Sequence, residues 1–194
     1  MERIAEIHKA TLNPTKEEVL TQVFGPHEMF GAFRFVDPRG MVGIETLLVH
    51  QGGPLLQLPV TYRDSRITDE HEIATIDHSV LGKRYVTRTV ADPAAVKEYL
   101  RVILVGDTNA KRSDGQLAPL KIKGTGTETE VDLHNIHLDD ISRDSVVGNI
   151  DFNGERRRFH LQLPTEVTVR NVHLGLTGTD EATGKVYVLA ELTI

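Results

Sequence analysis

The sequence predicts an α+β fold, mostly antiparallel β-sheet with one main helix near 92–105 and a short helix near 15–24. Three observations predict it. Runs of four to eleven strand-forming residues recur, separated by Gly- and Pro-rich turns. Asn153-Gly154 lies between two apolar runs and is the sharpest hairpin signal in the chain. Asp92-Pro93 opens the best helical periodicity, carried by Val96, Tyr99, Leu100, Ile103 and Leu104.

The elements follow in order. Residues 4–10 alternate polar and apolar side chains and read as a short strand. Pro14, followed by Glu17 and Glu18, marks the start of a helix over 15–24, because acidic side chains favour the positive end of the helix dipole. Gly25-Pro26 stops it. Residues 29–36, 42–49 and 55–62 form three strands, joined by Asp37-Pro38-Arg39-Gly40 and by Gln51-Gly52-Gly53-Pro54. Pro59 lacks an N–H, which predicts an edge position or a bulge for the third strand. Two further runs, 73–77 and 83–89, are broken at Leu81-Gly82. Asp92 suits the N-cap of the main helix, Pro93 its first turn, and Gly106 its end.

Residues 106–115 are polar and basic and read as a loop and a boundary. This divides the chain into 1–106 and a strand-rich part, 107–194, packed with it as one unit. Strands are expected at 119–123, 128–138, 145–152, 156–163, 166–176 and 185–193. The last run is apolar and must be paired or covered.

Composition bounds the function. The chain has 194 residues, 39% apolar and 26% charged, which is ordinary for a globular protein. The formal charge of −6 argues against nucleic acid, whose phosphates need clustered positive charge. With no cysteine there is no disulfide, thiolate metal site or cysteine nucleophile. No apolar run approaches the ~18 residues of a membrane span, and the start, Met1 to Glu6, lacks a leader's apolar stretch. A cytoplasmic protein with no membrane partner is expected.

Chemical motifs are sparse. Neither a phosphate loop, a nucleophile elbow nor a His-Glu-x-x-His is present. Gly124-Thr125-Gly126-Thr127 is followed by acids that would repel a polyphosphate, so it reads as a turn or solvated loop. His134, His137 and Asp139, flanked by Asp132 and Asp140, are candidate metal ligands, although a regular strand points His134 and His137 to opposite faces. Arg156-Arg157-Arg158 reads as a solvated hairpin flank.

A family resemblance narrows the reading. Gly31-Ala32-Phe33-Arg34-Phe35, Asp37-Pro38-Arg39-Gly40, Gly43-Ile44-Glu45-Thr46, Gln57-Leu58-Pro59-Val60-Thr61-Tyr62-Arg63, His78-Ser79-Val80-Leu81-Gly82 and Asp92-Pro93 stand in series. The series resembles the N-terminal cap domain of actinobacterial maltokinases, over about residues 8–105. In that family a kinase phosphorylates maltose with ATP, and the cap precedes the ATP-binding lobe without holding the catalytic Asp or the metal ligands. The resemblance therefore implies a stand-alone cap-like protein with no inherited kinase chemistry and no cofactor. Gly43 and Gly82 would serve backbone needs.

Two functions fit. One is a non-catalytic module that binds or regulates a protein in α-glucan or maltose-type sugar metabolism. It would work as a weak homodimer or in a partner complex. The other is a small enzyme or a sugar- or anion-binding protein, using a cleft around Glu45 and His78. Aromatic residues are only 5% and tryptophan is absent, which disfavours stacking a sugar ring.

Overall fold

A computed structural model describes residues 3–194. Met1 and Glu2, the first part of the alternating start, lie outside the described residues. The chain runs β1 (Ile4–Ala5), β2 (Leu12–Asn13), α1 (Lys16–Phe24), β3 (Glu28–Val36), β4 (Gly43–His50), β5 (Leu55–Arg63), β6 (Glu72–His78), β7 (Gly82–Arg88), a 3-10 turn (Thr89–Ala91) and α2 (Pro93–Val105). It continues through β8 (Lys111–Arg112), β9 (Lys121–Gly124), β10 (Leu133–Ile141), β11 (Ser145–Phe152), β12 (Glu155–Gln162), β13 (Glu166–Val169), β14 (Gly175–Thr179) and β15 (Val186–Thr193). The result is the α+β, mainly antiparallel architecture that the turns and the Asp92 helix start predicted.

Local chemistry places both helices. Thr15 and Glu18 form a capping box at the start of α1: the Thr15 hydroxyl accepts from the Glu18 N–H, and the Glu18 carboxylate accepts from the Thr15 N–H. Asp92 caps α2 by accepting from the Ala94 N–H, and Gly106 closes that helix in the left-handed conformation.

Strands β3, β4, β5, β7 and β6 make one half of a large sheet. β4 is buried on both faces, and its alternation serves two cores. Ile44 and Leu48 join Phe33, Phe35, Tyr99, Leu100 and Ile103 beneath α2. Leu47 and Val49 join Val19 and Leu20 of α1. The α2 core also takes Val146, Ile150, Phe159, Leu176 and Leu189, so it spans residues before and after position 106.

Three strand readings change. Pro59 is not on an edge strand. β5 lies inside the sheet, its second side taken by β13 at residues 55–56 and by β7 at residues 60–63, and Pro59 falls between those partners. The expected single strand over 166–176 divides into β13 and β14. β13 shares one side of β15 with β12 and β14 takes the other, so the chain must cross over between them. β15 is therefore an interior strand rather than an open edge. The expected strand over 4–10 is only β1, which pairs in parallel with β8, inside the stretch read as a loop.

Gly124 and Gly126 pack closely against the end of α2, while Thr127 is exposed as a loop residue. A Cβ at Gly124 would lie 2.2 Å from the Val102 carbonyl oxygen, and one at Gly126 would lie 2.2 Å from that of Leu104. That proximity lets the Gly126 N–H donate to the Ile103 carbonyl and the Glu128 N–H to that of Leu104. Carbonyls that the end of a helix leaves unpaired are thereby satisfied.

Candidate functional site

A cleft of about 610 Å³ opens between the N-terminal segment, the β3–β4 turn and the β6–β7 hairpin. Lys16 and Arg34 line it, and Glu45 lies behind them with no exposed side-chain surface. The fold assembles this group by register. Arg34 and Glu45 are directly opposed across β3 and β4, because each lies two residues from the Val36–Gly43 pair that closes the connection over 37–42. Tyr62 sits diagonally on β5, opposite Gly43. Lys16 comes from the first position of α1.

Glu45 is saturated by these neighbours. Lys16 Nζ is 2.7 Å from its Oε2, Arg34 Nε donates to its Oε1 at 3.1 Å, and the Tyr62 hydroxyl donates to its Oε2 at 2.7 Å. Burial alone would raise the Glu45 carboxyl. The Lys16 and Arg34 charges and the donated hydrogen bonds outweigh it and hold the group at about 2. Burial and the Glu45 charge push the Tyr62 hydroxyl well up. Burial lowers Lys16, against the pull of Glu45. A Cβ at Gly43 would meet the Tyr62 side chain at 3.4 Å, an ordinary contact. Gly82, with φ +74, does serve the backbone.

His78 lines the same cleft, whereas Glu45 lies beneath it. The His78 Nδ1 accepts from the N–H groups of Val80 and Leu81 at 3.2 and 3.0 Å, which ties the β6–β7 turn and leaves the ring proton on Nε2. Burial and the nearby His8 lower its pKa. The two residues thus occupy one region in different roles.

The other candidate group lies on β10. A bulge between His134 and His137 changes the expected facing: His134 opposes Asp151 and His137 opposes Asn149, two residues apart on β11 and so on one face. Each imidazole has its own carboxylate neighbour, His134 with Asp132 and His137 with Asp139. Asp139 also accepts from the Asn149 amide. Among the described residues no three metal-ligating side chains converge.

Lys16, Arg34 and Tyr62 were not singled out by sequence reasoning. The Arg34–Glu45 pairing depends on the extra two residues of the connection over 37–42, which the Asp37–Gly40 turn signal does not include. No local pattern connects Lys16 to a strand nearly thirty residues away.

Residues 16–92 match the family model of the maltokinase N-terminal cap domain. The resemblance read from the sequence therefore holds over that segment, which is less than half of the chain. It contains the whole Lys16, Arg34, Glu45 and Tyr62 group and His78, and it ends at the Asp92 cap of α2. No curated protein and no solved structure matches the chain.

Proposed function

We propose that this chain, with a maltokinase-type cap segment at residues 16–92, is a non-catalytic binding module that regulates a sugar-phosphorylating enzyme of maltose-type metabolism in the cytoplasm. The observation that supports this most directly is the state of Glu45. It lies beneath the Lys16 and Arg34 floor of the cleft, its side chain is fully buried and its oxygens are bonded to Lys16, Arg34 and Tyr62. A carboxyl held at about 2 has no proton to give at neutral pH, and one so saturated is a poor base. The group is built to hold the cap together and to shape the cleft that a ligand or partner meets.

The test is enzymatic. The purified chain with ATP, Mg²⁺ and maltose is expected to transfer no phosphate. Added to a maltose-phosphorylating kinase, it is expected to change KM or kcat saturably. Turnover by the chain itself, lost in Glu45→Gln, would refute the reading, as would a kinase indifferent to the chain at every concentration.

A further inference from the structure

Two cations and one carboxylate form the floor of the cleft. Lys16 and Arg34 both bond to Glu45, which leaves one positive charge beyond it. Arg112, on the same wall, is already neutralised: its Nε and Nη2 donate to the two oxygens of Asp114 at 2.9 and 2.6 Å. Arg34 uses its Nε on Glu45, and among the described residues its Nη groups have no carboxylate partner. Its side chain is 17% exposed and that of Lys16 30%, so both reach the cleft. The Tyr62 ring packs against both, at 5.8 Å from Lys16 Nζ and 6.0 Å from the Arg34 guanidinium carbon, and holds them in place.

The mouth has the opposite character. Ile4, Met41 and Leu81 line it and are 59%, 64% and 40% exposed. Exposed apolar side chains gathered at one opening mark a binding site more than a bare surface. The volume falls within the roughly 300–1,000 Å³ of small-molecule pockets, which combine apolar walls with a few placed polar groups.

We propose that this cleft binds an organic monocarboxylate, its carboxylate on Lys16 and Arg34 and its apolar body between Ile4, Met41 and Leu81. This names the ligand class of the binding module proposed above and rests on that reading. The single charge that Lys16 and Arg34 carry beyond Glu45 suits one carboxylate at the floor; Arg84 also lines the cleft, its Nη1 donating to the Lys83 carbonyl. Exposed Glu6 and Asp64 also line the cleft and oppose multiply charged ligands such as polyphosphates. Asp37 lines it too, but its carboxylate is occupied by the N–H groups of Arg39 and Met41. An apolar rim does not match the hydroxyl-covered body of a sugar.

Calorimetric titration of the full chain tests this with octanoate, 1-octanol and inorganic phosphate. Octanoate is expected to bind saturably at one site, with the alcohol and phosphate at least ~10-fold weaker. Arg34→Lys, which keeps the charge but loses the planar fork, is expected to weaken octanoate. Met41→Glu changes an exposed side chain, so it is expected to weaken octanoate ~10-fold with the unfolding midpoint unmoved. Binding of phosphate or octanol as tight as octanoate would overturn the proposal. So would unchanged octanoate affinity in both variants, or no saturable binding at all. A chain that binds octanoate but leaves the sugar kinase unaffected refutes the regulatory role alone. A chain that alters the kinase but ignores octanoate refutes the ligand assignment alone.

Discussion

Lys16 Nζ lies 2.7 Å from Glu45 Oε2, and this contact joins the first residue of α1 to the third residue of β4. It sets a cation from a helix start against a fully buried strand carboxylate, with Arg34 and Tyr62 completing the shell. Such a cluster is costly to break, because removing one partner leaves buried charge without compensation.

Glu45→Gln is therefore expected to destabilise the protein by roughly 3 kcal/mol, the range typical of a buried pair losing one member. Lys16 and Arg34 would then face each other across a neutral amide. Urea unfolding measures the change. A loss below about 1 kcal/mol would show the cluster to be weakly coupled to the fold.

The pH dependence has a defined sign. The Glu45 carboxyl is depressed from 4.5 to about 2 in the folded state, so its stabilisation is present above 4.5 and lost as pH falls toward 2. The wild type is expected to lose more stability between pH 5 and 3 than Glu45→Gln does. Chemical unfolding of both proteins at several pH values checks it. Parallel curves would contradict it.

Asp92 has two duties at one buried carboxylate. Its Oδ1 accepts from the Ala94 N–H at 3.0 Å and from Arg63 Nη2 at 2.8 Å, and its Oδ2 accepts from Arg63 Nε at 2.7 Å. Asp92→Asn keeps a capping oxygen and loses the charge, whereas Asp92→Ala loses both. The alanine variant is expected to be the less stable by about 1 kcal/mol, the worth of an N-cap. Equal thermal midpoints would disprove the capping share.

Glycines near α2 and in the turns are expected to respond differently. Gly126→Ala would drive a methyl toward the Leu104 carbonyl, and backbone cannot yield as a side-chain tip does. A cost of about 1–3 kcal/mol follows from overpacking. Gly43→Ala meets only the Tyr62 side chain at 3.4 Å and is expected to cost less. Thermal unfolding ranks the two, and the reverse order would contradict the close-approach argument.

Much of the fold was legible because the signals are local. Asp92, Pro93 and Gly106 bracket α2 through cap chemistry, and Asn153-Gly154 supplies the two positive φ angles of the β11–β12 hairpin. The site was legible in part. Glu45 stood out as a polar residue within a strand, but Lys16 reaches it only after α1 folds over the sheet. His78 stood out as a possible ligand contact, yet the acceptor role of its Nδ1 in the turn depends on two N–H groups that only the folded hairpin directs at it.

The sequence by itself determined the strand-rich α+β class, both helix starts and the cap resemblance, because periodicity, caps and turns act over a few residues. Tertiary structure alone decided the interior places of Pro59 and β15, the split of β13 from β14, and the bulge that turns His134 and His137 to one face. It also decided that Gly124 and Gly126 serve α2 and that Lys16 meets Glu45. Each of these depends on which strand lies beside which. Non-local pairing is set by the total burial and hydrogen bonding of the whole sheet, and no short window of sequence contains that sum.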